Sequence, residues 1–261
     1  MAKFFPIFSG SRGNATYIET AGRALLVDCG SSLRAIENAL KANGLSMDAL
    51  QGVLITHEHS DHISALRTLL KKYALPVYMS EQTAETMSSV GMLPEGCLLQ
   101  VFDQTAAVGD FSVRRFATSH DCAGSSGYRI TLPDGRQVAV CTDLGIVTEA
   151  VREGISGCEL VMLESNHDVN LLQTGGYPYP LKQRILSDCG HLSNTACATE
   201  LPALVEQGAK RFVLAHLSHE NNRPQIAAAA AKAALLDKKM QEGSDYLLYI
   251  AAQKDNCYIS F

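Results

Sequence analysis

The sequence has the length, composition and charge of an ordinary globular protein. Its 261 residues are 46% hydrophobic and 19% charged, which allows a substantial buried core. The formal net charge of −5 excludes a protein that coats nucleic acid through bulk positive charge, although it is compatible with a local basic groove.

Cysteine usage and the start of the chain indicate a reducing compartment. The eight cysteines include no Cys-x-x-Cys pair, and the first residues contain no apolar stretch long enough for a secretory signal. We therefore expect reduced thiols and a cytoplasmic protein. The alanine-rich run over residues 227–235 contains Lys232 and is shorter than the about 20 apolar residues that cross a bilayer, so no membrane partner is expected.

Short apolar runs separated by Gly, Asn and Asp turns alternate with helical patterns along the whole chain. No repeat, low-complexity segment or linker interrupts them, which predicts a single domain over residues 1–261. Strands are predicted over residues 15–20, 24–28, 52–56, 77–79, 111–117, 126–131, 137–142, 160–164 and 211–215, with a final hairpin of 246–251 and 257–261. Helices are predicted over residues 33–43, 63–73, 81–90, 147–154, 180–188, 193–207 and 223–240.

This order of elements predicts the fold class. Hairpin-linked strands with helices between some of them occur twice, which favours an α/β fold of two mixed β-sheets flanked by helices, an αββα sandwich. The tripeptide Pro133-Asp134-Gly135 predicts a tight turn between two of the strands.

The most informative segment is His-Glu-His-Ser-Asp-His at residues 57–62, directly after a predicted apolar strand. Because alternate side chains of an extended segment share a face, His57, His59 and Asp61 are expected on one side. The turn into the helix predicted from Ile63 then swings His62 toward a neighbouring point. Imidazoles with a carboxylate are suitable ligands for Zn or Mn, whereas core packing gives little reason to gather three histidines in six residues.

The remaining histidines strengthen this interpretation. All eight histidines fall at the ends of predicted strands or in the loops that follow, and none is expected inside a helix or on an exposed face. His120, Asp143 and His216 each end a predicted strand. Any of the three alone could equally be a capping or packing residue, but together with residues 57–62 they favour a shared metal centre.

Residues 56–62 resemble the His-x-His-x-Asp-His signature of the metallo-β-lactamase superfamily, and the resemblance covers nearly the whole chain. Residues 26–30, Leu-Val-Asp-Cys-Gly, resemble the first motif of that family, whose aspartate orients ligands and is here Asp28. The resemblance implies the metallo-β-lactamase fold and two divalent metal ions, Zn or Mn, with Fe as a third option. It implies that one ion is bound by His57, His59 and His120, that the other is bound by Asp61, His62 and His216, and that Asp143 bridges them.

Two further segments resemble the nuclease side of the superfamily. Glu164 begins the segment Glu-Ser-Asn-His-Asp, and His191 lies in Gly-His-Leu-Ser-Asn at residues 190–194. On this resemblance His191 is the general acid that protonates the leaving oxygen, and Glu164 orients it, which suits the poor leaving group of a phosphodiester. His191 could instead cap the helix predicted from Ser193. His59 occupies the position at which the di-iron redox branch has Glu, which disfavours redox chemistry.

Taken whole, the chain is similar to the YycJ (WalJ)-type group of small bacterial metallo-β-lactamase-fold proteins, which are regarded as 5′-exonucleases on DNA. The similarity is carried by residues 9–14, 57–66, 164–168, 176–178, 181–182, 190–194 and 214–224. Cys122 departs from the pattern of the group, because a smaller residue is expected beside His120 and Asp121. The thiol could ligate a metal or be oxidised there, or it could be a small buried side chain.

The leading functional hypothesis is therefore a di-metal hydrolase that cleaves phosphodiesters, a 5′-exonuclease on DNA rather than RNA. Asp61, Glu164 and His191 are the expected catalytic residues. Substrate contacts are expected from four residues, although the two histidines among them could equally support metal ligands: Asn14, His167, His219 and Arg223.

Two other hypotheses remain open. A small-molecule hydrolase could use the same metals on a cyclic phosphodiester, thioester or lactone, and the negative charge and the lack of a basic arm favour it slightly. A silent binding module with a degenerate metal site is disfavoured by the complete set of candidate ligands. A positive groove several nucleotides long would indicate nucleic acid, and a closed pocket would indicate a small substrate. The sequence makes no prediction of the oligomeric state.

Overall fold

The computed structural model describes residues 1–261 and contains fourteen β-strands, nine α-helices and one 3₁₀ turn at Met47–Ala49. Most predicted strands are confirmed within a few residues, and the turn at Gly135 links the strands Ser126–Thr131 and Gln137–Cys141 through a hydrogen bond from its N–H to the Leu132 carbonyl. The strands are β1 (Ala2–Phe8), β2 (Ala15–Thr20), β3 (Arg23–Val27), β4 (Leu50–Leu54), β5 (Val77–Met79), β6 (Leu99–Val101), β7 (Thr105–Val108), β8 (Phe111–Ala117), β9 (Ser126–Thr131), β10 (Gln137–Cys141), β11 (Leu160–Glu164), β12 (Arg211–Ala215), β13 (Leu247–Ile250) and β14 (Ile259–Ser260).

The strands form two mixed sheets of seven strands each. The first has the order β14-β1-β2-β3-β4-β5-β6, and the second has the order β13-β12-β11-β10-β9-β8-β7. In the first sheet β3 to β6 run parallel, and in the second sheet β10 to β13 run parallel. Each sheet therefore has one parallel block, in which the carboxyl ends of neighbouring strands share an edge.

Helices flank both sheets, as predicted. Ile36 and Leu69 join Leu26 of β3 in one buried cluster, and Leu201 and Leu235 join Phe212 of β12 in another. None of the helices combines the length and the apolar character that crossing a bilayer would require. The helices are α1 (Leu33–Ala42), α2 (Ser60–Ile63), α3 (Leu66–Tyr73), α4 (Glu81–Ser89), α5 (Glu149–Ile155), α6 (Val169–Thr174), α7 (Tyr179–Ile185), α8 (Asn194–Glu206) and α9 (Pro224–Asp237).

The chain divides into two compact units. The first unit comprises Met1–Arg114, Cys122–Ser126 and Ala252–Phe261, and the second comprises Arg115–Asp121 and Gly127–Ala251. The single domain expected over residues 1–261 stays a prediction.

The expected final hairpin is wrong. β13 pairs in parallel with β12, whereas β14 pairs antiparallel with β1 in the other sheet. The reason lies in the order of elements, because a strand, a helix and a strand in succession build a parallel crossover, here β12-α9-β13.

β1 was not predicted at all, and its proline explains why. Pro6 lacks a backbone N–H and argues against a strand interior. In the structure the pairing register between β1 and β2 shifts between Pro6 and Phe8, so the irregularity accommodates the proline.

Candidate metal centre

In the first unit the candidate ligands follow the carboxyl ends of two neighbouring parallel strands. β3 ends at Val27 and is followed by Asp28, and β4 ends at Leu54 and leads into the histidine segment. Val27 lies beside Leu54 in the parallel register, so both segments leave the sheet at the same edge. The crevice outside the carboxyl ends of the strands is where open α/β sheets bind ligands.

His57 and His59 present two ring nitrogens at a spacing that fits one metal ion. His57 Nε2 lies 3.1 Å from His59 Nδ1. Two nitrogens bound to one tetrahedral Zn²⁺ at about 2.0–2.1 Å are roughly 3.3 Å apart. Thr56 Oγ1 lies 3.0 Å from Nδ1 of His57 and fixes that ring from its other side.

Asp61 and His62 lie on a short helix rather than on an extended segment. α2 begins at Ser60, so the alternation argument that grouped Asp61 with His57 and His59 is wrong. Asp61 Oδ2 instead lies 3.6 Å from His62 Nε2. His62 is also an exception to the expectation that no histidine lies inside a helix.

Asp28 is the buried carboxylate that fixes this segment. Its Oδ1 accepts a hydrogen bond from the Thr56 N–H at 2.9 Å, and its Oδ2 accepts one from Thr56 Oγ1 at 2.8 Å. The same Oδ2 lies 2.7 Å from Nδ1 of His62. A carboxylate on Nδ1 orients the imidazole so that Nε2 can coordinate a metal. Thr56 was not singled out in the sequence, although it directly precedes the histidine segment.

Asn14 was a predicted substrate contact, and the structure places its amide against candidate ligands of the same unit. Asn14 Nδ2 lies 2.9 Å from His62 Nε2 and 3.3 Å from Asp61 Oδ2. The backbones approach closely here, because a Cβ atom on Gly30 would lie 1.5 Å from the carbonyl oxygen of Asp61. Only glycine permits that approach. The substrate role of Asn14 stays a prediction.

In the second unit the candidate residues come from the ends of three parallel strands. Cys141 of β10 lies beside Leu163 of β11, and Leu163 lies beside Leu214 of β12. The residues after these positions therefore emerge together. Three candidate residues at these strand ends and His191 form one group, in which the potential ligand atoms all lie within 4.8 Å of one another. The four residues are Asp143, Glu164, His191 and His216.

Glu164 connects the predicted acid to a predicted metal ligand. It is fully buried, and its Oε1 lies 2.9 Å from Nδ1 of His191 and 2.7 Å from Nδ1 of His216. Its Oε2 accepts hydrogen bonds from the N–H groups of Leu144 and Leu192 at 2.9 Å and 3.2 Å. The sequence predicted the contact with His191, whereas the contact with His216 was not foreseen.

The charges within this group shift two pKa values in opposite directions. Burial acts to raise the pKa of Glu164, but the imidazoles of His191 and His216 outweigh it and lower the pKa to about 2. Burial acts to lower the pKa of His191, but the carboxylates of Glu164 and Asp143 raise it to about 9. The pair is therefore an ionised carboxylate with a protonated imidazole at neutral pH.

His120 lies in the loop after β8. Its Nδ1 is 3.2 Å from the carbonyl oxygen of Gly190, and its Nε2 is 3.9 Å from Asp143 Oδ1. Burial lowers the pKa of His120, although Asp143 opposes that effect. A neutral imidazole whose Nδ1–H faces a carbonyl presents Nε2 for metal binding.

A buried amide network fixes the loops that carry these groups. Asn222 Nδ2 donates to the carbonyl oxygens of Ser165 and Asn166 at 2.8 Å and 2.9 Å and to Asn194 Oδ1 at 2.9 Å. Asn166 Nδ2 in turn donates to the carbonyl oxygen of His216 at 2.9 Å. All three asparagines are almost fully buried. No role was predicted for them, because an asparagine in a loop is ordinarily a turn residue and one at the start of a helix, as at Asn194, is equally common.

The other three predicted substrate contacts differ in their exposure and in their hydrogen bonds. His167 is 1% exposed and neither ring nitrogen has a hydrogen-bond partner, and burial lowers its pKa to about 4. His219 is exposed and lies 3.0 Å from Glu220 Oε1, which contradicts the expectation that no histidine is exposed. Arg223 donates to the carbonyl oxygen of His219 at 3.1 Å and so braces its own loop. Their contacts with substrate stay predictions.

Three candidate residues adopt a left-handed backbone at strand ends. The φ angles of Asp28, Asp143 and His216 are 59°, 59° and 55°. Aspartate and histidine are among the few non-glycine residues found in this region, and such strained positions concentrate at functional sites.

The side chains of each unit therefore fit divalent metal ions. They combine imidazoles and aspartates that can bind a metal with buried carboxylates that contact Nδ1 of a ligand histidine. This is the donor chemistry of zinc and manganese sites.

Comparisons with known proteins identify the family of the chain. A family model described as the beta-lactamase superfamily domain matches residues 23–217. The exodeoxyribonuclease YycJ of Bacillus anthracis is 37% identical over 249 residues, which cover 94% of each chain. The exodeoxyribonuclease WalJ of Streptococcus pneumoniae is 34% identical over 251 residues, which cover 95% of this chain and 93% of WalJ.

Solved structures confirm the predicted fold. The metallo-β-lactamase fold protein YhfI of Bacillus subtilis superposes with a TM-score of 0.69 at 19% identity, over 97% of both chains. The family match and the two relatives that span nearly the whole chain agree with this fold. The chain belongs to the metallo-β-lactamase superfamily and, within it, to the group of YycJ- and WalJ-type proteins.

Proposed function

We propose that the protein is a metal-dependent nuclease that hydrolyses DNA from the 5′ end. Two relatives that span nearly the whole chain are exodeoxyribonucleases, which supports a nucleic acid substrate and DNA over RNA. A reducing, cytoplasmic environment, in which the eight cysteines would stay reduced thiols, is part of this proposal.

Seven residues hold two divalent metal ions, Zn or Mn, in this proposal. The assignment follows the family resemblance, and the donor geometry within each unit supports it. The seven proposed ligands are His57, His59, Asp61, His62, His120, Asp143 and His216. When bound, such ions polarise the phosphoryl oxygens and make a water molecule nucleophilic near neutral pH.

The contact between Glu164 and His191 is the observation that carries the proposal. Hydrolysis of a phosphodiester expels an alkoxide, and that leaving oxygen needs a proton. Glu164 holds Nδ1 of His191 at 2.9 Å, so the opposite nitrogen, Nε2, is the one that can deliver a proton to substrate. The raised pKa of His191, about 9, keeps that proton in place at neutral pH.

Asp61 contributes to metal binding and to the orientation of the attacking water. The amide of Asn14 lies 3.3 Å from Asp61 Oδ2 and limits the rotation of that carboxylate. Arg223 and His219 are proposed to contact the DNA backbone from their exposed loop, and His167 is proposed to contact a phosphate or to support the metal ligands.

The experiment is a nuclease assay on 5′-labelled single- and double-stranded DNA and RNA, with Mn²⁺ or Zn²⁺ supplied. We expect metal-dependent release of labelled mononucleotides from DNA, and no release by the Asp61→Ala variant. Metal content is measured for both proteins by mass spectrometry.

Inactivity on every polymer by a protein with its metals bound would contradict the proposal. It would redirect the search to the alternative, a small-molecule hydrolase acting on a cyclic phosphodiester, thioester or lactone. The relatives do not favour that alternative, since both are named as exodeoxyribonucleases.

A further inference from the structure

Cys122 lies beside the first two histidines of the metal-binding segment. Its Sγ, a ring nitrogen of His57 and a ring nitrogen of His59 all lie within 4.8 Å of one another. His57 is fully buried, whereas His59 and Cys122 are half-buried, so the three donors meet at a partly accessible position. All three residues belong to the first unit.

The fold holds Cys122 in this place through its own short segment. Cys122–Ser126 is the one stretch between residues 115 and 251 that belongs to the first unit. At its far end the Ser126 N–H donates to the carbonyl oxygen of Thr56 at 3.1 Å, immediately before His57. The segment therefore runs beside the beginning of the histidine segment.

The middle of the segment is fixed to the amino-terminal end of α4. Ser80 Oγ donates to the Gly124 carbonyl at 3.0 Å, and Thr83 Oγ1 donates to the Ala123 carbonyl at 3.3 Å. Gly124 has a φ of +76°, and a Cβ atom there would lie 2.5 Å from Ser80 Oγ. Close packing at Gly124 thus holds the residues next to Cys122, and the position of the thiol is built into the fold.

The other cysteines do not offer this chemistry. The thiols of Cys29, Cys141, Cys158 and Cys197 are buried, and burial raises the pKa of each. They therefore behave as small apolar side chains. Cys97 is partly buried against the core of the first unit and Cys189 and Cys257 are exposed, and none of the three belongs to a group of potential metal ligands.

We propose that Cys122 is a thiolate ligand of the metal ion held by His57 and His59. A soft thiolate favours Zn²⁺ and Co²⁺ over Mn²⁺, so Cys122 gives this metal position a preference for zinc. Binding transfers the thiol proton to solvent, and the sulfur lone pair forms the bond to the metal. The inference rests on the metal centre of the proposed function and adds a donor and a metal preference to it.

The test is the absorption spectrum of the full-length protein titrated with Co²⁺ under reducing, anaerobic conditions. A thiolate ligand produces an intense near-ultraviolet charge-transfer band, whereas imidazole and carboxylate ligands give only the weaker visible bands of cobalt. We expect both features in the wild type and loss of the near-ultraviolet band alone in Cys122→Ala. Cys257→Ser, which removes an exposed thiol from the same unit, is the matched control and keeps both features.

A second measurement does not depend on cobalt. Zn²⁺ should protect Cys122 from alkylation by iodoacetamide, a chelator should restore the reaction, and Mn²⁺ should protect it less. Cys257 should react equally in all three conditions. Circular dichroism verifies that Cys122→Ala is folded.

The outcomes separate this inference from the proposed function. Visible cobalt bands that disappear in His57→Ala, without a near-ultraviolet band in the wild type, would overturn the thiolate ligand and leave the metal centre standing. A near-ultraviolet band that persists in Cys122→Ala would also overturn it, because another thiol would be responsible. Absence of every cobalt band in the wild type would overturn both.

Discussion

Two buried carboxylates, Asp28 in the first unit and Glu164 in the second, have the same function in different surroundings. Each follows or ends a parallel strand, and each holds Nδ1 of a candidate metal ligand at 2.7 Å, that of His62 or that of His216. The other hydrogen bonds that Asp28 accepts come from Thr56, whereas those that Glu164 accepts come from His191 and two backbone amides.

The difference shows how one structural device can serve two purposes. In the first unit the carboxylate only orients a ligand, because its other partners belong to a threonine that cannot act as an acid. In the second unit the same device also holds a proton donor, so metal binding and proton transfer share one side chain. Substitutions at Asp28 and Glu164 should therefore have unequal effects.

The largest effect is expected for Glu164→Gln. The carboxylate faces four N–H donors, and an amide offers only one oxygen, so its NH₂ group must face donors. Loss of the oriented acid together with a disturbed His216 should lower turnover by about 10³-fold or more and weaken metal binding. Turnover and metal content are measured beside Glu200→Gln, which alters only an ion pair with Arg152 on the surface. Activity within tenfold of wild type would contradict the shared role.

His191→Ala should remove proton transfer while leaving the metals bound. Turnover is expected to fall by about 10²–10⁴-fold. Because the protonated form of His191 is the active one, wild-type turnover should decrease as pH rises through its pKa, at or below about 9, since bound cations lower that value. The variant should lack this alkaline decrease in a profile of kcat against pH. Loss of a metal ion from the variant would refute the assignment as acid.

Asp28→Asn should produce a smaller effect, confined to metal binding. An amide replaces one of the two carboxylate oxygens with an NH₂ group, which would face either the Thr56 N–H or the Thr56 hydroxyl and His62, so His62 is oriented less well. We expect zinc affinity to fall by about 10- to 100-fold, measured by competition with a chromophoric chelator. With saturating metal, turnover should return close to the wild-type value. An effect as large as that of Glu164→Gln would remove the distinction between the two carboxylates.

His167→Leu should alter the pH dependence of stability in the second unit. The pKa of His167 is lowered from 6.5 to about 4, so the unfolded chain binds a proton at pH values where the native protein does not. Lowering the pH from 7 to 5 therefore decreases the free energy of unfolding of the wild type by about 2 kcal/mol through this residue. Urea unfolding of metal-free protein at both pH values should show that loss reduced in the variant. Equal losses in the two proteins would contradict the lowered pKa.

The sequence predicted the first unit's site better than the second's. Four of its candidate ligands lie within residues 57–62, so a local motif was sufficient to identify them. Even there, the extended geometry expected for Asp61 was wrong, because α2 begins one residue before it. A helix of four residues is too short to leave a periodic pattern in the sequence.

The second unit's site depends on strand pairing that no local pattern specifies. Asp143, Glu164 and His216 are far apart in sequence and meet because β10, β11 and β12 are parallel neighbours. The family resemblance identified them individually, but not the double contact of Glu164. The network around Asn222 was not predicted either, since its members are ordinary loop and helix-end residues until the fold buries them.

The left-handed backbone at Asp28, Asp143 and His216 has a consequence for engineering. A non-glycine residue in this conformation is held at a cost of order 1–3 kcal/mol, which the surrounding structure must offset. Glycine would adopt the same backbone without that cost, but it would also remove buried contacts, such as those of Asp28 with Thr56 and of His216 with Glu164. Relief of the strain at any of these positions would remove a candidate ligand or the residue that orients one, so selection for heat resistance should be accompanied by catalytic screening in every round.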